Sequence, residues 1–220
     1  VSDLRYDRRL SDLDILERGF TEGRRVTAAA TLHRQAVQDA RRLMTSEQLM
    51  AFDISQEPAS VRAEYGDTAF GRGCLSARRL VEVGARCVEV TLSGWDSHAN
   101  NHEIQARQAG VLDMALAALV DDLKRHETWD NTIVLVAGEF GRTPTINRLG
   151  GRDHWPHGFS VALCGGAIRG GTVLGATDPE GGRDVHDPRQ VADIHATLLK
   201  ALGLDPAREL ISPAGRPLKL

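Results

Sequence analysis

Thr132-Ile-Val-Leu-Val-Ala137, followed at once by Gly138-Glu-Phe-Gly-Arg-Thr-Pro144, is the stretch on which the reading of the fold turns. The apolar run is unbroken, rich in β-branched residues and too short for a helix. It therefore reads as a strand covered on both faces. Working outward, Glu103 to Lys124 is a long amphipathic pattern, and Arg86-Cys-Val-Glu-Val-Thr-Leu92 before it looks like a strand. Downstream, Phe159-Ser-Val-Ala-Leu163 is a further strand. Asp187 is expected to cap a final helix with Pro188 at its first position, ending at Gly203. Strand, helix, strand, strand, helix predicts an α/β fold with a mainly parallel sheet and helices on its faces.

The first third has a different character. Leu10, Leu13 and Leu16 recur at helical spacing, as do Val26, Ala30, His33 and Val37 beyond Gly19 and Gly23. Thr45 with Gln48 has the spacing of a capping box, Pro58 can open a helix, and Cys74 to Val83 reads as a helix ending at Gly84. The expected organisation is a helical segment over 1–66 and an α/β portion over 67–220.

Composition bounds the function. The 220 residues are 41% hydrophobic and 26% charged, with a net charge of −3. Residues 1–42 hold nine Arg against seven acidic groups, too slight an excess for an electrostatic nucleic-acid footprint. No apolar run approaches the roughly 18 residues of a membrane span. Cys74, Cys87 and Cys164 are isolated, which argues against a disulfide framework or a structural zinc site. Of the 27 basic residues, 24 are arginine. That bias reads either as base composition or as a preference for two-point grips on oxyanions.

Sites in open α/β sheets gather beyond the carboxyl ends of strands, and three polar clusters occupy such places. In Gly94-Trp-Asp96-Ser-His98-Ala-Asn-Asn-His102, Asp96 and His98 are two apart and share a side of an extended chain. His102 shares a face with His98 if the helix begins early. A carboxylate with imidazoles suits zinc or a similar divalent ion; a capped helix start reads equally well. In the second cluster, Glu139 leaves the apolar strand with Arg142 close behind. The two form either a structural ion pair or a site carboxylate with an arginine for an anionic substrate. In Gly150-Gly-Arg152-Asp153-His154-Trp-Pro-His157, adjacent side chains diverge, so one of Asp153 and His154 can ligate while the other supports a neighbour. A solvated loop is the plainer reading of that segment. There is no P-loop, no G-x-G-x-x-G, no G-x-S-x-G and no H-E-x-x-H.

These same motifs, Gly94 to His98, Gly138 to Pro144, Gly151 to Pro156 and Asp193 to Gly203, in this order, resemble the bacterial family known as domain of unknown function 1501. Asp53 to Pro58 and Tyr65-Gly66 match as well. That family is grouped with alkaline phosphatase and sulfatase-like proteins. The resemblance implies a three-layer fold, a divalent-metal site (zinc, calcium or manganese), hydrolysis of a small-molecule or glycan phosphate or sulfate ester, and export. It makes Asp96, His98, Glu139, Asp153 and His154 the metal residues, with His102 and His157 in a second tier. Arg142 and Arg152 become the groups that hold the anion. Phe140 stands where a second-metal histidine is expected, and nothing matches the early strand that carries the nucleophile. The chain starts at Val1 with neither an initiator Met nor an export-signal pattern, so the resemblance further implies the C-terminal part of a longer protein. An exported binding protein with the same fold and no catalysis is the alternative.

Overall fold

The computed structural model describes residues 46–212 and 215–219 continuously, with scattered positions between 5 and 42. It divides into Val1–Asp53 and Ile54–Leu220. In the first unit the described positions of 5–18 and 35–42 are helical, among them Leu13, Leu16 and Val37. Leu10, Val26, Ala30, His33 and Thr45 lie outside the described residues. A 3-10 helix follows at Glu47–Phe52, and its cap is Ser46, whose Oγ accepts from the Gln48 N–H at 3.1 Å.

The second unit opens with α1 (Ala59–Glu64), entered at Pro58, and α2 (Ala69–Glu82). Thr68 caps α2 by accepting the Gly71 N–H at 2.9 Å. The helix therefore starts one and a half turns before the expected Cys74. Gly71 allows that start, because a Cβ there would fall 2.0 Å from the Tyr65 carbonyl oxygen. Helix α3 (Asn101–Arg125) matches the amphipathic stretch and packs on α2. Their shared core is Tyr65, Cys74, Leu75, Ala115 and Ala118, with Ile54, Val61, Phe70, Val90 and Leu119 around it.

That core encloses a charge network. Arg78, 2% exposed, meets Asp122 at 2.9 Å, Glu57 at 2.8 Å and Glu82 at 2.8 Å. Tyr65 Oη donates to the same Asp122 oxygen at 2.9 Å. Burial, reinforced by the Asp122 carboxylate, raises the Tyr65 phenol far above its usual range. Arg and Asp are almost never this buried unless paired, and here the guanidinium fork is shared among three carboxylates.

The strands are β1 (Ile133–Val136), β2 (Gly141–Arg142), β3 (His154–Trp155) and β4 (Ala162–Gly165). After them come β5 (Ala176–Thr177), β6 (Val185–His186), helix α4 (Val191–Ala201), β7 (Glu209–Ile211) and β8 (Pro217–Lys219). The α/β character is as expected. The direction of pairing is not, since every ladder among the described residues is antiparallel: β1 with β4, β2 with β3, β5 with β6 and β7 with β8. No helix separates β1 from β4, so the chain returns along its own strand through the β2–β3 hairpin, and a parallel partner needs a crossover. Arg86–Leu92, expected as a strand, forms none and joins no ladder.

The last helix also starts differently from the expected Asp187 cap. Arg189 takes up both Asp187 carboxylate oxygens, at 2.6 and 2.7 Å. The helix then begins after Gln190, in a capping box with Asp193. It ends as expected, before Gly203 at φ +76°.

Candidate metal centre

The site is made where two distant segments are laced together. An isolated bridge joins Ala99 to Gly150. Around it, Arg152 N–H donates to the Ser97 carbonyl (3.0 Å), Asn100 N–H to Leu149 (3.2 Å) and Asn101 N–H to Gly150 (2.9 Å). Gly151 makes this approach possible, since a Cβ there would lie 2.0 Å from the His98 carbonyl. Ser97, 1% exposed, points inward. Its Oγ donates to Asn101 Oδ1 at 2.7 Å and accepts from Gln105 Nε2 at 2.9 Å, tying the segment to the first turns of α3. Ser97 is buried, while Asp96 and His98 on either side of it are exposed. Strands β2 and β3 supply the other wall, with Arg142 opposite His154 in register.

One atom is the hub. Asp96 Oδ1 lies 2.6 Å from Arg142 Nη1, 2.9 Å from His98 Nε2 and 3.1 Å from His154 Nε2. Arg142 first, then His154, hold the Asp96 carboxyl below the usual carboxylate range. Behind His98, Nδ1 is 2.8 Å from Asp153 Oδ1, which Asn147 Nδ2 also approaches at 3.3 Å. These two neighbours, His98 leading, lower the Asp153 carboxyl as well. The Phe140 ring packs on His154 at 4.4 Å between centroids, and Arg142 lies over Phe140. The cluster is open, with the Asp96, His98 and His154 side chains each about half exposed.

Among the described residues, Asp96, His98 and His154 offer ligand atoms within 4.8 Å of one another. A tetrahedral ion with bonds of about 2.0–2.1 Å separates its donors by about 3.3 Å. The Asp96–His98 and Asp96–His154 distances of 2.9 and 3.1 Å are close to that value. A carboxylate and two imidazoles are a donor set that leaves coordination positions open. The residues present fit a divalent ion.

The remaining expected residues are distributed as follows. Asp153 stands behind His98 rather than in the three-residue set. Arg152 Nη1 donates to the carbonyls of Thr143 (2.5 Å) and Pro144 (2.6 Å), so it braces the loop after β2. Glu139 is exposed in the bend after β1, His102 is exposed on the first turn of α3, and His157 sits edge-on to Trp155. None of these three joins the ligand set. Asn147 was not expected. Its one sequence signal is its place just before Gly150-Gly151, where an Asn side chain often closes a turn on its own backbone.

Two imidazoles and a carboxylate on laced loops define a candidate metal-site protein of mixed α/β architecture. The family model described as Protein of unknown function (DUF1501) matches residues 1–220, and the chain belongs to that family. No curated protein and no solved structure matches the chain.

Proposed function

We propose that the chain is a divalent-metal-dependent hydrolase of small-molecule or glycan phosphate or sulfate esters. Asp96, His98 and His154 hold the ion, and Arg142 grips the anionic ester. The observation that carries this reading is the convergence on one carboxylate oxygen of two imidazoles, one of them 58 residues away in sequence. Two imidazoles favour zinc over calcium and manganese, which prefer oxygen ligands. A bound ion supplies Lewis-acid polarisation of the ester oxygen. Arg142 uses Nη1 on Asp96, which leaves the rest of its fork for a two-point grip on an oxyanion. The half-exposed imidazoles leave the approach open to a bulky ester.

The ester chemistry itself comes from the likeness of the motifs to alkaline phosphatase and sulfatase-like proteins. Their three-layer fold and export belong to the same proposal. Within Arg86–Leu92, Val88, Val90 and Leu92 are half-buried while Glu89 and Thr91 are exposed, an alternation of the kind a strand with one covered face has.

Phe140 favours a second reading, an exported metal- or ligand-binding protein without catalysis. Its ring fills the space beside His154 where a second metal's ligand would stand. Elemental analysis of wild type, Asp96→Ala and His154→Ala, followed by a panel of aryl phosphates and sulfates, separates the outcomes. Stoichiometric metal in wild type, lost in both variants, is expected together with turnover. Metal retained in both variants overturns the site; tight metal with no turnover on any ester selects the second reading.

A further inference from the structure

We infer that Asp153 and Asn147 are positioning residues that hold neutral His98 as its Nδ1–H tautomer, keeping the Nε2 lone pair aimed toward Asp96 and His154. Where it concerns metal affinity, the inference rests on the metal reading above; where it concerns the tautomer, it stands on the geometry alone.

A neutral imidazole has one N–H and one lone pair. His98 faces two carboxylates, Asp96 from Nε2 at 2.9 Å and Asp153 from Nδ1 at 2.8 Å; in its neutral form, the form that can ligate, it has a proton for one of them. Asp96 Oδ1 already meets the Arg142 guanidinium, a permanent cation, at 2.6 Å. Asp153 Oδ1 has the Asn147 amide alone beside it, at 3.3 Å. The less satisfied acceptor takes the proton, which is Asp153. Nε2 is then left bare against a carboxylate oxygen, an arrangement that a cation between the two relieves.

Asn147 makes the support rigid. Its Oδ1 accepts from Leu149 N–H and Gly151 N–H, each at 2.9 Å. Its Nδ2 donates to the His98 carbonyl at 3.0 Å as well as to Asp153. Turning the amide over would set its NH2 against two N–H donors and lose all four contacts, so its orientation is fixed. The backbone of Asp153 is pinned in turn. Its N–H donates to Thr143 Oγ1 at 3.1 Å, and its carbonyl accepts from Thr143 N–H at 2.9 Å. A carboxylate behind a ligating histidine is the general device for fixing ring and tautomer. Here an amide holds the carboxylate and the histidine's own carbonyl at once.

The test reads the tautomer first, on the metal-free protein. Long-range proton–nitrogen correlation spectra at mildly alkaline pH, with His98 assigned through His98→Gln, report which ring nitrogen carries the proton. Wild type is expected to show Nδ1–H. Asp153→Asn is expected to shift the population toward Nε2–H and to weaken zinc binding, measured against a chelating dye, by about 10- to 100-fold. Asp153→Ala removes the acceptor behind Nδ1 altogether; it is expected to move both readouts in the same direction, and it serves if Asp153→Asn does not fold. An Nε2–H wild type, or a tautomer unmoved in the variants, overturns the inference. So does equal zinc affinity in wild type and variants. If the tautomers behave as expected and zinc binds to none of the proteins, the tautomer assignment stands and the metal reading of the site falls.

Discussion

Replacing Arg78 with Met removes one guanidinium from beneath three carboxylates. Arg78 and Asp122 have side chains 2% exposed, while Glu57 and Glu82 are 13% and 28% exposed. The variant therefore orphans one fully buried charge and two that can still reach water. Deleting one partner of a buried pair costs about 3–5 kcal/mol, because the other is left uncompensated. Asp122 keeps Tyr65 Oη at 2.9 Å and Arg125 Nη2 at 3.3 Å, and Glu57 keeps Arg79. That remaining support places the loss at the lower end, about 3 kcal/mol. Against a total stability of about 5–15 kcal/mol this is a large fraction. It corresponds to a fall of about 6–12 °C in Tm for a chain of this size. Urea unfolding should show a lower midpoint with an unchanged slope. The cause is isolated by adding Asp122→Asn to Arg78→Met. If the orphaned carboxylate is the damage, the double variant is at least as stable as Arg78→Met, a strong departure from additivity. A loss below about 1 kcal/mol for Arg78→Met, or additive losses in the pair, would refute the reasoning.

Two further outcomes follow from the loops. Gly151→Ala should destabilise by about 1–3 kcal/mol and loosen the lacing of 97–101 to 149–152, because its Cβ would fall 2.0 Å from the His98 carbonyl; thermal melts and zinc titration check both effects. The Asp178 carboxylate accepts backbone N–H groups from Gly182, Asp184 and Glu180, which lowers its pKa. A depressed folded pKa adds stability above the unfolded value of about 3.9, lost as pH falls through the folded value. An NMR titration should therefore place Asp178 below a free aspartate, and the 178–184 turn should open on the acid side; a midpoint at the free value refutes it.

Much of the candidate site is legible in the sequence because its geometry is local. Asp96 and His98 come out together on either side of the buried Ser97, as their spacing suggested, although the chain turns tightly at Asp96, where Ser97 N–H bonds the Trp95 carbonyl at 3.0 Å. Asp153 and His154 are adjacent and so diverge, which is why one meets His98 and the other meets Asp96. Asn147 acts through its amide on a turn, on Asp153 six residues on and on His98 49 residues back, and spacing carries no signal for that. The pairing of β1 is illegible for another reason: an apolar run such as Ile133–Val136 reports burial and says nothing of strand direction. The start of α4 differs from the expected one because Asp187 stands at φ +49°, outside the extended backbone of a cap, with both carboxylate oxygens on Arg189.

Helix α3 carries the tie to the candidate site at Asn101 and the buried acid of the charge network at Asp122. At 1.5 Å per residue, about 32 Å of helix separates them, some three to four screening lengths at physiological ionic strength. Distant sites with no shared partners combine additively. Stability and site chemistry in this chain are therefore separately adjustable: Arg78 can be altered with the His98 tautomer unmoved, and Asn147 with the Tyr65–Asp122 contact intact.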